Sequence, residues 1–154
     1  MNNLKIILLK AIIFAVPMLS FVKDKCNSDQ LYEQALSKIK KYTFVKDYRI
    51  HQKKKKKITP EDYEYFTMPL NRGVKYKFLA LSSSEYEGKL VINLYNNIKK
   101  EFVFASTLVQ GGSNSNLKES IEFKCQSTAN YCVGFYFLNG AEGCGVAVSA
   151  LQQE

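Results

Sequence analysis

Tryptophan is absent, histidine occurs once, and the four cysteines include no Cys-x-x-Cys pair. These shortages remove whole classes of chemistry. A tetrahedral zinc site needs clustered Cys or His ligands, and the lone His51 stands in a lysine-rich stretch. No metal site is expected. The chain also lacks a Gly-x-Ser-x-Gly elbow, a His-Glu-x-x-His helix and a phosphate loop. Gly111-Gly112-Ser113 leads to neither Lys-Ser/Thr nor a helix and reads as a loop. Glu61, Asp62 and Glu64 lie near five lysines, so charge compensation accounts for them better than acid–base work. Glu85 and Glu87 offer few ligands for calcium. No catalytic residue and no cofactor are expected.

Acidic residues are scarce in one place. Residues 31–57 hold ten Lys/Arg against Glu33 and Asp47, a net +8, while 1–30 carry +2 and 58–154 carry −2. The basicity is therefore a local feature of one segment, with Lys53, Lys54, Lys55, Lys56 and Lys57 at its centre. Such a run attracts polyanions.

Long apolar runs are missing except at the start. Lys5 and Lys10 precede the uncharged stretch Ala11–Val22, and Lys23-Asp24-Lys25 closes it. A basic beginning followed by an apolar segment of this length reads as a secretory signal peptide over 1–25. Ser20 is a tolerable last residue, but Met18 stands where a small one is preferred, so the cleavage site is poorly defined. The alternative is a retained anchor, against which Lys10 interrupts a run that needs roughly 20 apolar residues. Residues 26–154 are then enough for one domain with its own core.

Helical pattern is scarce too. Ser28–Tyr42 is the one amphipathic stretch, with Leu31, Ala35, Leu36, Ile39 and Tyr42 in a stripe opposite Glu33, Gln34, Lys38 and Lys41. Asn27 and Gln30 are spaced as a capping box. Residues 51–60 read as a lysine-rich linker. The remainder of 43–152 alternates with period two. Val74, Tyr76, Phe78 and Ala80 form one inner row, followed by Leu90, Ile92 and Leu94, then Tyr131, Val133, Phe135 and Phe137, then Cys144, Val146, Val148 and Ala150. Ten Tyr and ten Phe suit a sheet protein. Parallel α/β is excluded, because no crossover helices are present. The expected fold is mainly β: an antiparallel, jelly-roll-like sandwich of about eight strands with one N-terminal amphipathic helix packed on it. Cys132, Gly134, Tyr136 and Leu138 make the strand at 130–138 apolar on its second face as well, and the helix is expected to cover Tyr136–Leu138.

Gly73-Val-Lys-Tyr-Lys-Phe78, Glu87-Gly-Lys-Leu-Val-Ile-Asn-Leu-Tyr95, Ile121-Glu-Phe-Lys-Cys125, Tyr131 and Gly143-Cys-Gly-Val-Ala-Val148 together resemble a group of short exported proteins of Bacteroidota. Their sandwich looks like the pre-peptidase C-terminal (PPC-like) domain found beside secreted hydrolases. The resemblance spans roughly residues 30–152 and implies fold and export. It brings no catalytic residues. Where the pre-peptidase pattern has Thr-Gly before the strand Tyr, this chain has Ala129-Asn130, and Asn tolerates the left-handed conformation.

An exported chain meets oxidising conditions, and four cysteines allow three pairings. Cys125 and Cys144 share the inner parity of their strands, which together with the resemblance favours a Cys125–Cys144 bridge across the core. Cys26 precedes the helix and Cys132 faces the side assigned to it, so Cys26–Cys132 is the candidate second bridge. The alternative for that second pair is two unpaired thiols.

The expected function is that of a non-catalytic exported module acting by binding, in the periplasm, on the outer-membrane surface or outside the cell. Its partner is unnamed: an anionic polysaccharide, a lipid headgroup or another envelope protein. Nucleic acid conflicts with export, and no aromatic stacking platform accompanies the lysine run. The alternatives are a small secreted enzyme with an unrecognised site and a membrane-anchored polyanion-binding protein.

Overall fold

The computed structural model describes residues 26–109 and 116–152. The expected export signal, 1–25, lies outside the described residues, as does most of the expected loop 111–116.

The polypeptide is folded as one long antiparallel hairpin wound into two sheets. Its outermost rung pairs β1 (Thr43–Gln52) with β10 (Gly143–Gln152). Next come β2 (Glu64–Leu70) with β9 (Ala129–Phe137), then β3 (Lys75–Ser82) with β8 (Ser120–Lys124), and finally β4 (Leu90–Tyr95) with β5 (Val103–Ser106). Alternate rungs go to alternate sheets. One sheet, A, has the order β1-β10-β3-β8 and the other, B, has β2-β9-β4-β5. That arrangement is a jelly roll, two four-stranded sheets facing each other. A short ladder of β6 (Leu108–Val109) and β7 (Asn116–Leu117) stands apart from both.

Between the sheets, Phe78, Ile92, Leu94, Val133, Phe135 and Phe137 form the main core. Tyr131 locks one end, its phenol donating to the Ser127 carbonyl at 3.0 Å. Pro69, which cannot donate to a ladder, lies on the edge strand β2 opposite Asn130, where the missing N–H costs nothing.

The helix α1 spans Ser28–Lys38 and so stops four residues before the expected 42. Asn27 is its N-cap, but in the left-handed conformation and without a side-chain capping bond. The helix buries Leu31, Ala35 and Ile39, with Leu36 and Tyr42 partly covered. Its partner differs from the expectation. The stripe packs on sheet A, against Leu79, Leu81, Val146, Val148 and Ala150, and not over Tyr136–Leu138. The reason lies in β10. Val146, Val148 and Ala150 are its helix-facing row, whereas Ala147 faces the sandwich core. Small residues suffice on that inner side, because the Phe-rich strands around it fill the space.

The same inversion corrects the cysteines. Cys144 shares the helix-facing parity and is joined to Cys26 at the foot of α1, with their Cα atoms 5.5 Å apart. The expected Cys125–Cys144 bridge is not formed, nor is Cys26–Cys132. Cys125 and Cys132 are both buried free thiols. The lysine-rich linker is also shorter than 51–60, since His51 and Gln52 belong to β1, opposite Cys144 and Gly143.

Candidate functional site

The face that the helix leaves open, the outer side of sheet B, is covered by tyrosines instead. Alternation places Tyr65 and Thr67 of β2, Cys132, Gly134 and Tyr136 of β9, and Asn93 and Tyr95 of β4 on this side. Register sets them in rows: Tyr65–Gly134–Asn93 across the middle, and Thr67–Cys132–Tyr95 beside it. Tyr63, just before β2, stacks on Tyr136 with centroids 4.1 Å apart and planes 7° from parallel. Tyr65 meets Tyr95 edge-on at 5.8 Å. Gly134 makes this possible, because a Cβ there would lie 2.8 Å from the Tyr65 ring and 3.1 Å from the Tyr95 ring.

Two loops raise walls around these rings. On one side is the 3-10 turn Pro60–Asp62, whose Pro60 carbonyl accepts a hydrogen bond from the Tyr65 hydroxyl at 3.0 Å. On the other is the β4–β5 loop. Its Lys100 adopts a left-handed backbone (φ 61°) and holds its ammonium 3.9 Å above the centre of the Tyr65 ring. A cation over an aromatic face at this distance is attractive. The walls enclose a cleft of about 500 Å³.

Burial shifts several ionisable groups of this face upward. Burial, then the neighbouring Tyr95, pushes the Tyr65 phenol far above the usual tyrosine range. Burial, then Tyr63, does the same to Tyr136. Burial also raises the Cys132 thiol, against a weaker opposing pull from Lys100. The phenols of this face offer ring faces and hydrogen bonds.

The lysine run is anchored to the same region. Lys55 donates its backbone N–H to the Gly140 carbonyl at 2.8 Å, and its ammonium pairs with Asp62 of the 3-10 turn. Gly140 must be glycine here, since it has φ 68° and an added Cβ would stand 2.8 Å from the Lys55 carbonyl. Lys53, Lys54, Lys56 and Lys57 are exposed, and among the described residues no hydrogen bond or ion pair engages their side chains. So the run keeps four of its five charges available. His51 is exposed, with its ring 5.8 Å from that of Tyr86.

Folding gathers a second basic group that sequence spacing did not show. Lys38, Lys40 and Lys41 from the end of α1 meet Lys75 and Lys77 of β3 around Tyr42 and Glu122, in a cleft of about 450 Å³. Glu122 pairs with Lys77 at 2.9 Å and Lys75 at 3.1 Å. The Lys77 bond, then Tyr42, lowers its carboxyl to about 2. Asp62 is likewise lowered to about 2, by Lys55 first and then by Thr59, which gives it both a backbone N–H and a hydroxyl.

These two carboxyls make an acid-side prediction. Each has a folded value below its ordinary one, 3.8 for Asp62 and 4.5 for Glu122. Their contribution to stability is present above those ordinary values and is lost as pH falls from about 4.5 toward 2. Melting temperature followed by circular dichroism should fall through that window, and the fall should be shallower in Asp62→Asn/Glu122→Gln. An identical acid profile in the double variant would refute the assignment.

Among the described residues, no three His, Cys, Asp or Glu gather as metal ligands, and no helix is long and apolar enough to cross a membrane. No family model matches the chain, and no curated protein does. Among solved structures, the chain is similar to the Aeromonas hydrophila protein PliG, a periplasmic lysozyme inhibitor of g-type lysozyme. Identity is 10%, the TM-score is 0.48, and the alignment covers 73% of this chain and 90% of PliG. At that distance no property of the inhibitor passes to this chain.

The tyrosine cleft was missed in the sequence. Nothing in the spacing of Tyr63, Tyr65 and Tyr136 says that β2, β9 and β4 lie side by side.

Proposed function

We propose that this protein is a non-catalytic exported β-sandwich module that acts by binding, and that the outer face of sheet B is its binding face. The observation that carries this reading is the cleft itself. Tyr63, backed by the stacked Tyr136, and Tyr65, with Lys100 over its ring, line a concavity built against sheet strands, where rings held in place lose little freedom on contact. Tyrosine is a favoured contact residue in such positions. The Cys26–Cys144 bridge supports export, since disulfides persist in oxidising compartments. The resemblance to short exported PPC-like proteins points the same way.

The test pairs two screens of the mature chain. On arrays of glycans, peptides and lipids, at least one class should bind, and Tyr65→Ala should remove most of that signal while leaving the fold intact. A panel of hydrolase substrates should give no turnover. Substrate turnover by the pure protein, or array binding indifferent to Tyr65→Ala, would overturn the reading. Fractionation that leaves the full-length chain in the cytosol would overturn export.

A further inference from the structure

We infer that the partner of this face is an anionic lipid bilayer, with the β4–β5 loop entering its surface and the lysine run lying against its headgroups. The inference rests on the outer face of sheet B being the binding face. Three of the six large apolar side chains left exposed among the described residues fall here, two in the loop and one at the first position of β5: Ile98 is 57% exposed, Phe102 62% and Val103 40%. Lys99 and Lys100 stand between them, both exposed. The loop's one acid, Glu101, is held in its own turn. Asn97 Nδ2 donates to the Glu101 carboxylate at 3.1 Å, and the Glu101 N–H donates back to Asn97 Oδ1 at 3.5 Å. The loop therefore offers the apolar Ile98 and Phe102 beside two lysines and one acid, a net charge of +1.

The opposite wall, Pro60 and Glu61, is joined in the chain to the lysine run. Lys57 precedes Pro60 by three residues, so their Cα atoms are within about 11 Å of each other. The Lys55–Asp62 pair fastens the run to that same turn. Val103, Lys99 and Lys100 thus line the cleft from one side and Pro60 and Glu61 from the other, with the lysine run tied to that second side through Lys55–Asp62.

Only one kind of occupant uses both properties. A dissolved polyanion would engage the lysines but gain nothing from Ile98 and Phe102. A second copy meeting this face with its own would set like-charged lysines against each other. A bilayer interface accepts apolar side chains at the headgroup–acyl boundary and holds lysines above acidic headgroups.

The test is co-sedimentation of the mature chain with phosphatidylcholine vesicles that do or do not contain phosphatidylglycerol, beside binding to heparin in solution. Binding should require phosphatidylglycerol and weaken with salt. Ile98→Ser/Phe102→Ser should weaken it about ten-fold or more, with heparin binding unchanged. Changing Lys53, Lys54, Lys56 and Lys57 to Gln should cost up to about five-fold per lysine that reaches the surface. All of these side chains are exposed, so an unchanged melting temperature separates lost docking from lost folding. No binding to acidic vesicles, or binding indifferent to Ile98 and Phe102, would overturn the bilayer. If the vesicles fail while Tyr65→Ala still removes an array signal, the face remains and only its partner changes.

Discussion

Replacing Cys26 with serine is expected to lower the free energy of unfolding by about 4–5 kcal/mol. The Cys26–Cys144 bridge links residues 118 positions apart, nearly the whole described chain. In the chain-entropy account, stabilisation comes from restricting the unfolded state and grows with loop length, reaching about 4.7 kcal/mol for a loop of roughly 100 residues. This bridge also ties the start of α1 to β10, the strand that carries most of the helix's packing surface. Guanidinium unfolding of the oxidised protein, the reduced protein and Cys26→Ser should show the last two coinciding well below the first. Mass mapping without reductant should find the Cys26 and Cys144 peptides joined. A Cys125–Cys144 peptide, or an oxidised protein no more stable than the reduced one, would sink the assignment.

Leu31→Ala should cost about 2–5 kcal/mol, while Lys38→Ala, on the solvent side of the same helix, should cost at most about 1. Leu31 lies with Ala35 and Ile39 in the cluster that includes Leu79, Leu81, Val146 and Val148. Truncating it leaves a cavity between a helix and a sheet that cannot close on it without shifting the disulfide-linked end. Lys38 loses only an exposed pair with Glu119 at 2.6 Å. Because Cys26 and Leu31 hold the same helix, their effects should not add. In the Cys26→Ser background, Leu31→Ala should cost less than in the oxidised protein. Thermal and denaturant unfolding of the four-member cycle checks this, and equal, small losses from Leu31→Ala and Lys38→Ala would mean that the helix does not dock.

Much of this architecture is written in local pattern. Alternation along β3, β4 and β9 reports that each strand is half or wholly buried, and the positions it marks as inner, Tyr76, Phe78, Ile92, Leu94, Val133 and Phe135, are in the core. One amphipathic stripe gives one helix with its apolar side already identified. The five lysines are exposed because charge keeps them in water. None of these inferences needs to know what lies across the gap.

Three others do need it, and there the pattern fails. In β10 the row Val146, Val148 and Ala150 is more apolar than Ala147 and Ser149, so it reads as the sandwich interior, yet it faces α1. Hydrophobicity tells how completely a face is covered and carries no label for what covers it. Reading that row as interior sets Cys144 beside Cys125, and the apolar second face of β9 draws the expected helix to Tyr136. The tyrosine cleft likewise depends on contacts between residues far apart in sequence, with Tyr65, Asn93, Lys100 and Gly134 brought together by ladder register and by one loop's left-handed turn. Periodicity is a property of single strands and is set by the alternation of the backbone. Which strand stands beside which, and which face meets the helix, is settled by the fit of large against small side chains once all layers are in place.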